Sequence, residues 1–265
     1  AIVGNIIANQ YATTLNVALN ASTYKIIHGE NTGDTEYFKK GFASDEEREA
    51  YEAELCATVE AEGAALLKNE NNALPLASGA KVSLFGHGSV DLMYGGTGSG
   101  SVDTSKAPNL KQALEAQGIT INQTLWDLYS SDSMMSKYSR LTPASISDTL
   151  EANTQYAVNE APWSALSSAE SSFAEYGDAA IVVLSRSGGE GADLPSGENG
   201  TSDSWISGQE GDGNYLALSA EEIELLQNLK ALKDNGTFKN IIVLINSSNA
   251  IELDFLNPEI CGEDY

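Results

Sequence analysis

The chain has 265 residues, of which 42% are hydrophobic and 20% charged, and its formal net charge is −24. This length and composition are typical of a globular protein that buries a core of its own. The negative charge argues against binding to nucleic acid or to anionic membranes, because both would be repelled. It favours an extracellular or cell-surface protein that acts on neutral substrates, with a cytoplasmic location as the alternative.

Residues 1–42 are predicted to form an N-terminal arm, and residues 43–265 an α/β domain. Alternating polar and apolar residues at positions 14–19 predict a strand within the arm. Ser44 and Glu47 have the spacing of a capping box, which indicates that a helix begins there. We expect this helix to end near residues 68–69. The side chains that it is expected to carry into the core are Leu55, Val59, Leu66 and Leu67.

Cysteine and histidine are too scarce in this sequence to form a metal site of the usual kind. The only such residues are Cys56, Cys261, His28 and His87, and their spacing matches no metal-binding motif, so no metal ligand is predicted. Apolar neighbours of Cys56 favour a buried side chain. The segment around Gly86 begins like a dinucleotide fingerprint but lacks its third glycine, so no cofactor is predicted.

Three apolar runs, at residues 81–85, 179–184 and 240–245, are predicted to be strands. The runs at 179–184 and 240–245 lack the alternation of a half-exposed strand, so the strands are expected to be buried on both faces, as in parallel sheets. Helical patterns lie between them and are expected to begin at Leu110, around Trp126, near Ser167 and after a cap at Ser219. The alternation of strands and helices predicts a layered α/β sandwich with a mostly parallel sheet.

The ends of the chain indicate that it is part of a longer polypeptide. The sequence stops at Tyr265, soon after the third predicted strand, and no closing helix follows that strand. We therefore expect the sandwich to be incomplete at its C-terminus, and the arm to pack on another domain.

Two glycine-rich segments are candidates for a functional site. Residues 185–193 directly follow a buried strand and place Glu190 between glycines. Ligands of open α/β sheets bind beyond the carboxyl ends of the strands, so Glu190 is a candidate acid/base catalyst, with a solvated surface acid as the alternative. Residues 94–101 lack the lysine of a phosphate-binding loop. Their glycines allow the backbone to approach a sugar or a neighbouring domain closely, with a flexible turn as the alternative.

Several of these segments, in this order, resemble the α/β sandwich domain of glycoside hydrolase family 3. They are Ala64-Ala65-Leu66-Leu67-Lys68-Asn69-Glu70, Leu74-Pro75-Leu76, the strand into Phe85-Gly86, the glycine-rich residues 95–100, Ser185-Arg186 with Gly189-Glu190-Gly191 and Asp193, and residues 242–246. The resemblance covers roughly residues 45–256. It implies the sandwich portion of a retaining β-glucosidase-like enzyme of bacterial type that acts on β-linked oligosaccharides or glycosides.

The resemblance also implies a partner domain and an order of domains. The family has a (β/α)8 barrel that carries the aspartate nucleophile, and this chain contains no such barrel. The arm precedes the sandwich here, which favours a member with reversed domain order over a cleaved C-terminal half of the common order. Homo-oligomerisation is left open.

The resemblance places the general acid/base on Glu190, with Glu198 and Glu210 as competitors in the same loop. Such a residue needs a pKa high enough to protonate the leaving oxygen, after which its carboxylate activates water. The expected substrate-binding residues are Arg186, Asp193, Gly96 and Ser99. For Arg186 and Asp193 the alternative is a structural ion pair. A non-catalytic carbohydrate-binding or structural domain is the alternative function.

Overall fold

The computed structural model of the protein describes residues 2–19, 41–70, 72–142, 156–190 and 215–257. The chain divides into two compact units, Ala1–Leu67 and Lys68–Tyr265. The helix that begins at Ser44 therefore belongs to the first unit. None of the helices in the described ranges has the length and hydropathy of a membrane-spanning segment.

The described part of the first unit contains three helices. Its helices are α1 (Ile2–Gln10), α2 (Ala12–Ala18) and α3 (Asp45–Gly63). The predicted strand at residues 14–19 is wrong, because this segment forms α2 and the turn after it. Helical backbone bonds from Leu15 N–H to Tyr11 O and from Leu19 N–H to Leu15 O, both 2.9 Å, take the place of strand pairing.

Helix α3 begins where the sequence predicts it to begin. The Ser44 hydroxyl accepts a bond of 3.2 Å from the Glu47 N–H. The Glu47 carboxylate accepts from the N–H of Ala43, at 2.7 Å, so only one of the two bonds of a capping box joins Ser44 and Glu47. The helix ends at Gly63, earlier than expected.

The expectation that α3 contributes to the core is wrong. Its residues include none that is buried, and Cys56 is an exposed free cysteine. The residues expected in the core are exposed by 46% at Leu55, 62% at Val59, 66% at Leu66 and 60% at Leu67. Acidic residues surround the few apolar positions of α3, so the helix lacks the broad apolar stripe that burial requires.

The second unit contains a four-stranded parallel sheet. Its strands are β1 (Lys81–Phe85), β2 (Thr120–Ile121), β3 (Ala179–Arg186) and β4 (Ile241–Ser247), in the order β2-β1-β3-β4. Every neighbouring pair is parallel, with Val82 opposite Ala179 and Ala180 opposite Ile241. The predicted layered α/β sandwich with a mostly parallel sheet is confirmed.

Short helices connect the strands of this unit. Among the described residues of this unit the α-helices are α4 (Leu110–Ala116), α5 (Gln123–Tyr129), α6 (Asp132–Tyr138) and α7 (Ala220–Asp234). The helical pattern predicted around Trp126 forms two helices, α5 and α6. The helix predicted near Ser167 is a 3₁₀ helix over Glu170–Tyr176. Another 3₁₀ turn, Gly98–Gly100, lies in the glycine-rich loop.

Hydrophobic clusters cover both faces of the central strands. Val82 and Leu84 of β1 pack into one cluster, and Val182 and Leu184 of β3 pack into the other. Strand β4 differs from the prediction of full burial, since its residues are half-buried and Leu244 is 39% exposed. Among the described strands, β4 pairs only with β3, so it forms an edge of the sheet.

Candidate functional site

The two glycine-rich segments that the sequence singles out lie against each other beyond the carboxyl ends of β1 and β3. Thr97 and Gly189 form an isolated parallel bridge. The N–H of Thr97 donates to the carbonyl of Gly188, at 3.3 Å. Two loops about 90 residues apart in the chain therefore build one surface, at the edge where parallel sheets bind their ligands.

Glu190 is exposed and is held by the opposite loop. Its Oε2 accepts a bond of 2.9 Å from the N–H of Ser99 and a second bond from the Ser99 hydroxyl. Its carbonyl oxygen accepts from the Thr97 hydroxyl at 3.0 Å. The hydrogen bonds from Ser99, the hydroxyl first and the N–H second, lower the pKa of Glu190. The high pKa that an acid catalyst requires is therefore not met in this chain.

Glycine is required where the loops meet. Gly98 has φ of +68°, and a Cβ built on it would lie 2.7 Å from the Cβ of Glu190. A Cβ on Gly96 would lie 3.0 Å from the carbonyl oxygen of Gly188, and one on Gly189 would collide with the backbone of Thr97. The group that lies close to Gly96 is the loop of Glu190, and the expected contact of Gly96 with a sugar stays a prediction.

Two buried tyrosines form hydrogen bonds to these loops. The hydroxyl of Tyr156 lies 3.1 Å from the Thr97 hydroxyl. The hydroxyl of Tyr215 accepts from the N–H of Ser187 at 2.8 Å and donates to the carbonyl of Ser187 at 3.0 Å. The two rings contact each other, with centroids 5.9 Å apart. Sequence reasoning missed both residues, since each is a lone tyrosine outside any recognisable pattern.

Arg186 does not face the surface that Glu190 occupies. Its side chain is fully buried and forms an ion pair with Glu222, with N–H···O distances of 2.8 and 2.7 Å. Its other N–H groups donate to the carbonyls of Tyr215, Ser185 and Ala217 at 2.7, 2.8 and 2.5 Å. All five donors of the guanidinium are occupied, so the substrate-binding role expected of Arg186 is corrected to that of a structural ion-pair partner.

Glu222 links Arg186 to the start of α7. The N–H of Ser219 donates to the Glu222 carboxylate at 2.9 Å, and the Ser219 hydroxyl accepts from the N–H of Glu222 at 3.2 Å. This is the reciprocal capping box that the sequence predicts for the helix. The same carboxylate therefore begins α7 and fixes the carboxyl end of β3, immediately before the loop of Glu190.

A second buried polar group lies at the carboxyl end of β1. His87 Nδ1 is 2.9 Å from Glu160 Oε2, and the same oxygen accepts from the N–H of His87 at 2.9 Å. The other carboxylate oxygen accepts from the N–H of Ala161 at 2.9 Å. The side chains of both His87 and Glu160 are buried, so this pair fixes the turn after β1 and offers no exposed acid or base.

Three of the residues singled out from the sequence are not described. Asp193, Glu198 and Glu210 lie outside the described residues, so their roles stay predictions. In the part of the chain that the structure describes, no three His, Cys, Asp or Glu side chains form a group that could hold a metal ion.

These features define an α/β sandwich domain that presents one exposed glutamate where two glycine-rich loops meet. Residues 64–262 match the Glycosyl hydrolase family 3 C-terminal domain. The match spans most of the chain, and the chain belongs to this family. The resemblance inferred from the sequence is confirmed, and at the level of the family the activity is that of a glycoside hydrolase.

Similar proteins agree with this assignment. The chain is 34% identical over 146 residues to Beta-glucosidase A of Butyrivibrio fibrisolvens. This alignment covers 53% of the chain and 15% of that protein. The structure of beta-glucosidase 3B from Thermotoga neapolitana in complex with alpha-D-glucose is 26% identical, with a TM-score of 0.58, over 79% of this chain and 26% of that one. A beta-glucosidase from Paenibacillus barengoltzii is 25% identical, with a TM-score of 0.56, over 78% of this chain and 20% of that one. The chain therefore spans only a small part of the length of these relatives.

Proposed function

We propose that this chain is the sandwich portion of a retaining β-glucosidase-like enzyme and that it supplies Glu190 as the general acid/base. The substrate is a β-linked oligosaccharide or glycoside, and the partner is a (β/α)8 barrel on the rest of the polypeptide. The observation that carries the proposal is the position of Glu190, an exposed carboxylate beyond the carboxyl end of β3 in a domain of glycosyl hydrolase family 3.

The chemistry of retention explains the division of labour between two domains. Retaining glycosidases use two carboxyl groups about 5–5.5 Å apart, one as nucleophile and one as acid/base. Glu190 protonates the leaving glycosidic oxygen in the first step. In the second step its carboxylate takes a proton from the water that attacks the glycosyl-enzyme bond, and this restores the acid. The nucleophile comes from the barrel.

In this chain the pKa of Glu190 is lowered because its exposed carboxylate accepts hydrogen bonds from Ser99. An acid has to hold its proton until the substrate arrives. Contact with a barrel and a bound sugar would exclude water from Glu190, and loss of water raises the pKa of a carboxyl group. The acid step therefore belongs to the assembled protein, and the isolated chain should show no turnover.

The test is Glu190→Ala in the complete polypeptide. Turnover of cellobiose should fall by about 10²- to 10⁴-fold, because its leaving group needs a proton. Glycosylation by an activated aryl glucoside should fall much less. Azide should restore turnover, because it attacks the glycosyl-enzyme intermediate without a general base, whereas the attacking water has lost its base.

The matched control is Glu170→Ala, which removes an exposed glutamate from a 3₁₀ helix of the same unit. Its turnover should equal that of the parent. Near-normal turnover of cellobiose by Glu190→Ala would refute the role of Glu190. A large defect in Glu198→Ala or Glu210→Ala would instead assign the acid/base to that residue.

A non-catalytic carbohydrate-binding or structural domain is the second candidate. It is favoured by one observation, namely that the Glu190 carboxylate is already engaged by Ser99 in this chain. Normal kinetics for all three glutamate variants, together with loss of activity when the domain is removed, would support it.

The order of domains and the location are part of the same proposal. In this proposal the barrel follows this chain, as in a family member with reversed domain order. The net charge of −24 favours an extracellular or cell-surface enzyme. Sequencing of the complete polypeptide tests the first point, and fractionation of the source cells tests the second.

A further inference from the structure

The 3₁₀ turn Gly98–Gly100 presents two hydrogen-bond donors to one oxygen of Glu190. The donors are the N–H of Ser99, 2.9 Å from Oε2, and the hydroxyl of the same serine. An ionised carboxylate only accepts hydrogen bonds, so an oxygen with two donors is matched to the ionised form. A proton on that oxygen would displace one of the two donors.

The backbone of Glu190 is held by the same loop. The Thr97 hydroxyl has one proton, which it donates to the carbonyl of Glu190 at 3.0 Å. The contact of 3.1 Å between the hydroxyls of Thr97 and Tyr156 is therefore a bond in which the tyrosine donates. Tyr156 is only 1% exposed, so the hydroxyl that holds this backbone is itself fixed by a buried residue.

Gly98 brings the serine into place. Its φ of +68° turns the chain so that Ser99 faces Glu190, and the absence of a Cβ leaves room for the Cβ of Glu190. The contact between Ser99 and Glu190 thus follows from three features of one loop, namely the left-handed glycine, the serine and the threonine. The serine and the threonine donate hydrogen bonds to Glu190, and neither side chain is charged.

We propose that Ser99 is the positioning residue for Glu190, fixing its carboxylate through the serine N–H and hydroxyl and favouring the ionised form. The lowered pKa of Glu190, which has the Ser99 hydroxyl as its largest cause, agrees with this geometry. The catalytic consequence rests on the proposed function of Glu190: Ser99 stabilises the form that activates water and opposes the form that protonates the leaving group. The hydroxyl of Ser99 then acts on the catalyst and is not a primary contact to the sugar.

The direct test is an NMR titration of the 265-residue chain, following the side-chain carboxyl resonance of Glu190. Its assignment comes from the loss of that resonance in Glu190→Gln. The titration midpoint should move upward in Ser99→Ala, since one donor to the ionised form is lost. It should stay near that of the parent in Ser99→Thr, which keeps a hydroxyl, and in the control Ser101→Ala from the same loop.

A second readout needs no change at Ser99. The backbone amide resonance of Ser99 should titrate together with the carboxyl of Glu190 in the parent chain and should lose that transition in Glu190→Gln. An amide that does not sense Glu190, or a midpoint that is the same in Ser99→Ala and in the parent, would overturn the inference.

In the complete polypeptide, the basic limb of the pH profile of kcat/KM reports the acid form of Glu190. Ser99→Ala should shift this limb to higher pH and leave the acidic limb in place, a pattern that a general loss of structure would not produce. The proposed function is tested separately. Normal turnover by Glu190→Ala would rule out the catalytic role of Glu190, but it would not change how Glu190 titrates in the parent chain and in the Ser99 variants. Where Glu190→Ala does abolish turnover, an unshifted limb in an active Ser99→Ala enzyme would overturn the positioning role.

Discussion

Replacing Glu222 by glutamine should destabilise the second unit strongly, because it leaves the charge of Arg186 buried without a counter-charge. The Arg186 side chain is fully buried and that of Glu222 is 2% exposed, and two bonds of 2.8 and 2.7 Å join them. Three carbonyls hold the remaining N–H groups, so the guanidinium cannot turn to water. Breaking a buried pair from one side costs about 3–5 kcal/mol.

Glutamine preserves the shape of the side chain and keeps one oxygen, which can accept from the N–H of Ser219. Its NH2 group takes the place of the other oxygen, which accepts from Arg186 Nη1 in the parent, so the substitution removes the counter-charge and one of the two bonds to Arg186. The assay is urea unfolding of the chain, with the free energy of unfolding extrapolated to water. The matched control is Asp234→Asn, which breaks an ion pair of 2.8 Å with Lys230 on the same helix, where the side chains are 61% and 30% exposed.

The control should lose no more than about 0.5 kcal/mol, because exposed pairs on a helix contribute little. A loss of unfolding free energy below about 1 kcal/mol for Glu222→Gln is the size of an ordinary point substitution. Such a result would refute the argument that the substitution leaves the charge of Arg186 buried without a counter-charge.

Two further predictions concern a glycine of the site and an ion pair at the amino ends of the strands. Gly98→Ala should destabilise the chain by about 1–2 kcal/mol, which is the cost of a left-handed conformation for a residue with a Cβ. The control is Gly100→Ala, whose added Cβ would have no atom within 4 Å. It should cost less in the same urea assay. Equal effects of the two substitutions would contradict the conformational argument. Asp178 has a pKa lowered first by its bond to the Lys239 side chain and second by the N–H of Lys81. A lowered pKa in the folded state means that its stabilising contribution is present above the ordinary aspartate pKa and is lost as the pH falls through the folded value. The difference in unfolding free energy between the parent and Asp178→Asn should therefore shrink on acidification, and a difference that does not change with pH would exclude this linkage.

Local patterns in the sequence were enough to predict the central architecture. The run of residues 179–184, which becomes most of β3, is continuously apolar, as expected of a strand buried on both faces. The caps at Ser44 and Ser219 depend on atoms three residues apart, so the starts of α3 and α7 are visible in the sequence. Glycines next to Glu190 likewise indicated a loop with unusual backbone freedom.

Burial could not be predicted where it depends on what lies beside an element. Strand β4 is as apolar in sequence as β3, but it is half-buried because it pairs on one side only among the described strands. Helix α3 contains leucine and valine at helical spacing, yet they are exposed within a strongly acidic helix. For β4 the cause is its place at the edge of the sheet among the described strands, and for α3 it is the acidic residues around the apolar positions.

By itself the sequence determined the family, the parallel sheet, the glutamate between its glycines and the second glycine-rich loop. Only the tertiary structure decided that these loops touch, that Ser99 and Thr97 hold Glu190, and that Arg186 turns inward to Glu222. The physical reason is the range of the contacts. Thr97 and Glu190 are 93 residues apart, and Arg186 and Glu222 are 36 apart. Partners at such separations are chosen by strand order and helix packing, which bring together residues that no local spacing connects.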